Sequence, residues 1–504
     1  MIKPFVKKIV IVGGGTAGWM TAAALSKCFE STDIEITLVE SDAIATVGVG
    51  EATIPSIVAF NQQLGIDEDE FVKATHATFK LGIDFVDWQN IGQSYFHPFG
   101  VYGFDLEGLS FHQFWTKLRE QGDTHGLDDY SLNAKAAFAG KFLRPEPAHG
   151  AIINRLAYAY HFDASLYAQF LRKFSERRNV TRLEGKVVDV KQAAQNGFIQ
   201  SVKLEDGSVI AGDLFIDCTG FRGVLIEQLY KTGYNDWAKW LPVNRAVAAG
   251  SEKMEPLRPF TRASAQEAGW TWRIPLQHRT GNGYVYCDKF CDAQAAEDLL
   301  LTNLDTKQIS EPKHLRFVTG HRRKFWSHNC VAIGLSGGFL EPLESTSIHL
   351  IRAGITKLIS LFPDRSMAAV ERDEYNRLMT DDFEHIRDFL ILHYKATERS
   401  DSPFWDYVRE MDVPDSLIRK IDLLRSRGRF FKYDAELFDL TSWLAVAAGQ
   451  GIMPEGYNPV VDGLSQKNIE TSLANMRSVL DKAVNAMPPQ QAFIDRFCKS
   501  TSQI

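Results

Sequence analysis

Little in this chain would tie it to a membrane, a nucleic acid or a metal. No run of about 18 apolar residues occurs, so no segment is expected to span a bilayer. The opening residues, MIKPFVKKIVIVGGG, pass from two lysines straight into a strand pattern. The apolar core and cleavage site of a secretion signal are missing, and a reducing cytoplasm is the default expectation. Of the six cysteines only Cys287 and Cys291 lie close together, and no second pair or histidine cluster accompanies them at zinc-ligand spacing. No metal is therefore expected. With 56 basic against 63 acidic residues the net charge is -7, which argues against a partner held by phosphate neutralisation. The short basic cluster GHRRKF (320–325) reads as a solvated loop. Internal repeats and low-complexity tracts are absent too.

What is present suits a large globular protein. At 504 residues the chain exceeds the size at which one core stops growing, so two domains, or one with additions, are expected. KKIVIVGGGTAGWMTAAALSK reads as a buried strand, a glycine turn and an alanine-rich helix, and DIEITLVES as a second strand ending at Glu40. That is the footprint of a parallel sheet. Residues 41–60, with TVGVGEATIPS, are too glycine-rich to predict a regular element. HATFKLGIDFVDW (76–88) alternates like a strand, and AYAYHFDASLYAQFLRKFSERR (157–178) turns into an amphipathic helix. Residues 185–220 hold short strands about an Asp206-Gly207 hairpin signal and close on the apolar strand LFIDCTG. From about residue 361 the spacing becomes helical.

Gly13-x-Gly15-x-x-Gly18 sits between the first strand and the first helix. Such glycines allow a tight turn and close approach to a pyrophosphate, whose charge the helix N-terminus receives. Glu40 stands where an acid takes the ribose hydroxyls. Only one such fingerprint occurs. Two further apolar strands, DLFIDCTGFRG (213–223) and VAIGLSGGFLEP (331–342), end in glycine turns that can approach the same ligand, which favours FAD over NAD. Lacking a second nucleotide unit, the protein is expected to receive flavin reduced elsewhere.

LEPLESTSIHLIRAGITKLISLF (340–362) combines a turn at Pro342, candidate caps Ser345, Thr346 and Ser347, and an amphipathic helix. The first turn of a helix offers unpartnered N–H groups and a partial positive charge, where a small anion can settle beside Glu344. Taken alone, the stretch favours an acid and hydroxyls that cap their own helix, because caps of this kind are common. In GWTWRIP (269–275), alternation sends Trp270 and Trp272 to one face. Local physics singles out neither Lys80 in TFKLG nor His97 and Phe99 in YFHPFG.

Taken in order, GGGTAGWM, GVGEATIP, FK, YFHPFG, AYHFDASLYAQFL, DLFIDCTGFRG, GWTWRIP and GFLEPLEST resemble the flavin-dependent halogenases of the tryptophan halogenase family. The resemblance runs from about residue 8 to 355 and more loosely to AAGQGIMP (447–454). It implies an α/β fold: an FAD-binding, Rossmann-like and flavin monooxygenase-like body with mixed sheets, plus a mainly helical C-terminal subdomain. The body is expected over 1–360, with substrate-facing insertions near 90–155 and 230–310, and the helical subdomain over 361–504.

The resemblance further implies that reduced FAD, oxygen and chloride or bromide yield hypohalous acid, which crosses an internal passage to a separate aromatic-substrate pocket. Lys80 would hold the oxidant by hydrogen bond or as a haloamine, and Glu344 would position substrate and take the ring proton. The amides of Thr346 and Ser347 would bind halide; His97, Phe99, Glu344 and Trp443 would line the substrate pocket. Gly13, Gly15, Thr16, Ala17, Gly18, Glu40, Glu51, Ala52, Val187, Leu335 and Ile348 would hold FAD. Trp270 and Trp272 would wall the flavin from organic substrate.

Two departures stand out. Ser347 replaces a common glycine after EST, which opens the halide preference. LTSWLAVAAGQGIMPEGYNP (440–459) carries no tyrosine pair to grip an amino acid, which favours free indole or another indole-like aromatic over tryptophan. A diffusible flavin reductase is the implied partner, and a homodimer the default assembly. The rivals are a flavin monooxygenase hydroxylating an aromatic substrate and a flavin-binding protein without turnover.

Overall fold

The computed structural model describes residues 5–43, 50–433 and 436–501. Its chain forms two compact units that interleave along the sequence: 1–76, 162–238 and 317–384 in the first, 77–161, 239–316 and 385–504 in the second. The expected ranges, 1–360 and 361–504, group the residues differently.

The first unit is built on a six-stranded sheet in the order Trp326–Ser327, Cys330–Ala332, Leu214–Asp217, Lys8–Val12, Glu35–Glu40, Val180–Glu184. All but the first are parallel. Parallel strands buried on both faces read as continuous apolar runs, as IVIV and LFID do. Val12, Asp217 and Ala332 are in register, so the turns that follow three strands open at one edge. Helices Thr16–Cys28 and Ala164–Glu176 pack on each other. A small antiparallel sheet, Val187–Gln192, Ile199–Leu204 and Val209–Ala211, carries the expected Asp-Gly hairpin, with Gly207 at φ +88°.

The second unit carries a seven-stranded sheet in the order Lys313–Arg316, Arg245–Glu252, Arg279–Tyr286, Gly269–Pro275, Thr261–Gln266, Gly82–Val86, Ser94–Pro98. Only the pairing of Thr261–Gln266 with Gly82–Val86 is parallel. The helices expected after residue 361 are present, among them Pro403–Glu410, Asp415–Arg427, Leu440–Gly449 and Gln466–Ala486.

Several local expectations need correction. Residues 76–88 are two strands, Thr78–Lys80 and Gly82–Val86, because Leu81 leaves the ladder to donate to Pro259 O at 2.7 Å. Within 41–60, residues 44–49 lie outside the described part; beyond them stand a strand, Gly50–Ala52, and a helix, Ser56–Leu64. GHRRKF is not a solvated loop throughout. His321 and Arg322 are buried in the strand Gly320–Arg322, where Arg322 pairs with Glu227 at 2.9 Å; only Arg323 and Lys324 are exposed. All six cysteines are free thiols. Among the described residues no helix is long and apolar enough to cross a membrane, and no group of metal-ligating side chains occurs.

Candidate active site

In the first unit the glycine turn has the geometry its sequence requires. A Cβ on Gly13 would fall 2.3 Å from Cys218 O, and one on Gly18 1.9 Å from Gly13 O, while around Gly15 the space is open to 4 Å. Backbone thus packs against backbone on one side and leaves room on the other, as a bound diphosphate needs. Thr16 and Ala17 open the helix. The Glu40 carboxylate accepts from Arg182 Nε at 2.5 Å and Trp19 Nε1 at 3.3 Å. Its four lone-pair directions leave acceptor capacity for ribose hydroxyls. Asp217, at the end of a neighbouring strand, is fully buried and accepts from the amides of Thr219, Leu225 and Ile226. It braces the turn after its own strand.

Glu51 and Ala52 lie in the strand Gly50–Ala52. Burial, with the Asp163 carboxylate adding to it, pushes the Glu51 carboxyl up to about 7. Asp163 caps the helix Ala164–Glu176 by accepting from the amides of Ser165 and Leu166. Leu335 sits in the turn Gly334–Ser336, Ile348 is the second residue of its helix, and Val187 packs half-buried on the sheet core.

The helix after EPLEST runs Ser347–Ser360. Glu344, on the turn Pro342–Glu344, is fully buried, and Ser345 follows in the left-handed region at φ +59°. Thr346 is the N-cap residue, yet its side chain makes no capping bond. Its Oγ1 is buried without a hydrogen-bond partner. Of the hydroxyl caps expected from sequence, that of Thr346 is therefore not what holds this helix start. The amides of the first turn keep their unmatched donors. Sequence reasoning passed over His349, three residues beyond Thr346. Its Nδ1 lies 3.0 Å from Ser56 Oγ, and burial together with Arg352 and Lys357 pushes its pKa down to about 3.

In the second unit Lys80 ends the strand Thr78–Lys80 with 0% of its surface exposed, its Nζ 5.1 Å from the centre of the Phe99 ring. His97 is buried on the edge strand of the large sheet, 5.8 Å from Phe389 and 6.2 Å from Phe438. Phe389 stacks on Phe438 at 3.9 Å and meets Trp443 edge-on at 5.2 Å. Phe389 and Phe438, far apart in sequence from YFHPFG, had no local signal. Trp443, on the helix Leu440–Gly449, is buried with its Nε1 unpartnered. Lys420 lies 4.9 Å from the Trp443 and Phe430 rings, and Glu436 accepts from its ammonium at 2.5 Å.

The paired tryptophans occupy the strand Gly269–Pro275 with both rings buried, centroids 6.1 Å apart. Their cross-strand neighbours are small or slender: Ala265 and Val285 beside Trp270, Ala263 and Gly283 beside Trp272. That choice of neighbours gives two indoles room on one face of a sheet.

A family model described as tryptophan halogenase matches residues 8–466. Tryptophan 6-halogenase SttH of Streptomyces toxytricini is 38% identical, the match covering 96% of this chain and 97% of that protein. Among solved structures, Xcc4156, a flavin-dependent halogenase from Xanthomonas campestris, is 45% identical with a TM-score of 0.96, over 99% of this chain and 100% of that one. BrvH, a flavin-dependent halogenase from Brevundimonas sp. BAL3, is 44% identical with a TM-score of 0.93, over 97% and 99%. Fold and relatives together define an enzyme, a flavin-dependent halogenase. The chain belongs to the tryptophan halogenase family.

Proposed function

We propose that this halogenase uses reduced FAD from a separate reductase, oxygen and chloride or bromide, and that it halogenates free indole or a similar electron-rich aromatic. Bound in the first unit, reduced FAD would activate oxygen, one atom of which oxidises halide to hypohalous acid while the flavin's electrons take the other to water. The chain's own residues do the rest. The open space at Gly15 receives the diphosphate, and Glu40 the ribose. The amides of Thr346 and Ser347 hold the halide in the positive field of their helix start.

Lys80 holds hypohalous acid by its ammonium donors, or as the neutral amine forms an N–X bond with loss of water. The ring then takes the halogen in place of a hydrogen. Glu344 accepts the proton that leaves, and the oxygen ends as water. Regiochemistry follows from which ring carbon faces Lys80. His97, Phe99 and Trp443 present the aromatic surfaces that hold a flat substrate.

The observation that carries this reading is the buried, unpartnered Thr346 Oγ1 at a helix start that it does not cap. A buried polar atom left unmatched is costly, and a site for an anion accounts for it. The preference for indole rests on Lys420, a cation already seated against Trp443. Glu436 is engaged by that lysine and by the Tyr433 amide, so a substrate ammonium would meet repulsion and a carboxylate already in use. Indole and tryptophan offered together with reduced FAD, oxygen and bromide should give bromoindole as the main product, and nothing without halide. Preference for tryptophan would overturn the substrate assignment, and a halide-independent hydroxylated product the halogenation chemistry.

A further inference from the structure

His161 plays no part in the chemistry above, yet it is fully buried and bonded through both ring nitrogens. Its Nδ1 lies 3.0 Å from Thr78 Oγ1, and its Nε2 lies 2.9 Å from Thr261 Oγ1. Thr78 Oγ1 also donates to the carbonyl of Pro275 at 2.6 Å. A hydroxyl has one proton. With that proton committed to Pro275, Thr78 can only accept from His161, so Nδ1 carries the hydrogen. Nε2 of the neutral ring then accepts from Thr261. The bonds fix both the tautomer and the direction of every donor in the chain.

The strand geometry gives this network a target. His161 and Thr78 are direct cross-strand partners, and Lys80 pairs with Ala159 two places further along the same ribbon. Side chains two apart on a strand share a face, so Thr78, His161 and Lys80 lie on one side. Lys80 pairs with the smallest side chain available there, which leaves its stem room. Pro275 ends the strand that carries Trp270 and Trp272. Three elements thus meet at one imidazole: the strand of Lys80, the start of strand Thr261–Gln266, and the end of the paired-tryptophan strand.

We infer that His161 is a positioning residue for Lys80, holding the lysine's strand in register with the paired-tryptophan strand through a neutral, Nδ1-protonated ring. The role rests on the proposed use of Lys80. Burial, with the Lys80 ammonium adding to it, drives the His161 pKa well down, in keeping with a ring that stays neutral. An imidazolium would lose its acceptor at Nε2 and set a second positive charge beside the lysine.

Two measurements test this. In the full-length protein labelled with 15N-histidine, two-bond 1H–15N spectra at neutral pH should show one buried ring in the Nδ1–H form that is missing from His161→Asn. An Nε2–H or doubly protonated ring would overturn the inference. In bromide-dependent turnover, His161→Leu should oxidise reduced flavin at the wild-type rate. Its bromoindole yield per flavin oxidised should fall about tenfold or more, with hypobromous acid appearing in a chemical trap.

His161→Asn places an amide donor where Nδ1 stood and should recover most of the yield. Should His161→Leu fail to fold, Thr78→Val should show the same loss and Thr78→Ser should not. Unchanged yield in His161→Leu or Thr78→Val, or loss without rescue by Asn, refutes the role. A wild-type enzyme that makes no halogenated product while oxidising flavin would instead strike at the proposed function, and the ring spectra would still decide the tautomer.

Discussion

Trp272 lies across the face of Gly283, its neighbour on the adjacent strand: a Cβ there would fall 2.1 Å from the indole Cζ2. A methyl group at this point displaces the ring or the strand. Gly283→Ala should therefore destabilise the protein by about 1–3 kcal/mol, although alanine restricts the unfolded chain more than glycine does. Urea unfolding measures it; a stability equal to or above that of the wild type would show that the indole has other room.

The two indoles together carry a functional expectation. Trp270→Phe combined with Trp272→Phe should lower bromoindole formation and let oxygenated indole appear, read by mass spectrometry of the products. If the double variant keeps the wild-type product profile, the rings serve packing alone.

Lys80→Ala should cut halogenated product at least about a hundredfold while flavin oxidation continues, since the group that holds the oxidant is gone. Lys80→Arg separates the two routes: a guanidinium keeps donors but stays charged and cannot supply a neutral amine, so recovered product marks the hydrogen-bonded oxidant and continued loss the haloamine. Full turnover by the alanine variant would remove Lys80 from its role.

Thr346→Val separates stability from halide binding. Replacing a buried, unpartnered hydroxyl by a methyl leaves stability equal or raises it by about 1 kcal/mol. The bromide concentration giving half-maximal rate should rise several-fold, because the site loses its hydroxyl donor. An unchanged halide dependence would remove the hydroxyl from the site and leave the anion to the amides alone.

Glu51 links pH to stability in the protein without flavin. Its carboxyl ionises near 4.5 when unfolded and near about 7 when folded. Between those values the folded state holds more protons, so this group's contribution is full below about pH 4.5 and declines as pH rises toward 7. Urea midpoints of wild type and Glu51→Gln, compared at about pH 5 and about pH 7.5, should show the wild type losing ground at the higher pH. A constant difference between the two proteins would mean that the carboxyl ionises normally in the fold.

Where a signal was local, the sequence was enough. The glycine turn between IVIV and its helix, the hairpin at Asp206-Gly207 and the strand GWTWRIP all follow from neighbours within ten residues of one another. Where a long-range partner decides, it was not. The break at Leu81 comes from Pro259, and the aromatic group around Trp443 needs Phe389 and Phe438 from separate segments. The helix start at Thr346 looked like an ordinary cap because Ser, Thr and Glu fit the pattern; only geometry shows the hydroxyl without a partner. His161 is one letter in AYHFD, and nothing in that stretch announces two threonines and a proline carbonyl around it.

Because each unit is stitched from three stretches of polypeptide, the chain passes between them at 76/77, 161/162, 238/239, 316/317 and 384/385. No single crossover between two relatives can exchange one unit whole. Recombining members of this family therefore favours transplanting individual side chains over swapping blocks, and a fragment ending at any of the first four junctions would leave the six-stranded sheet without its strands Trp326–Ser327 and Cys330–Ala332.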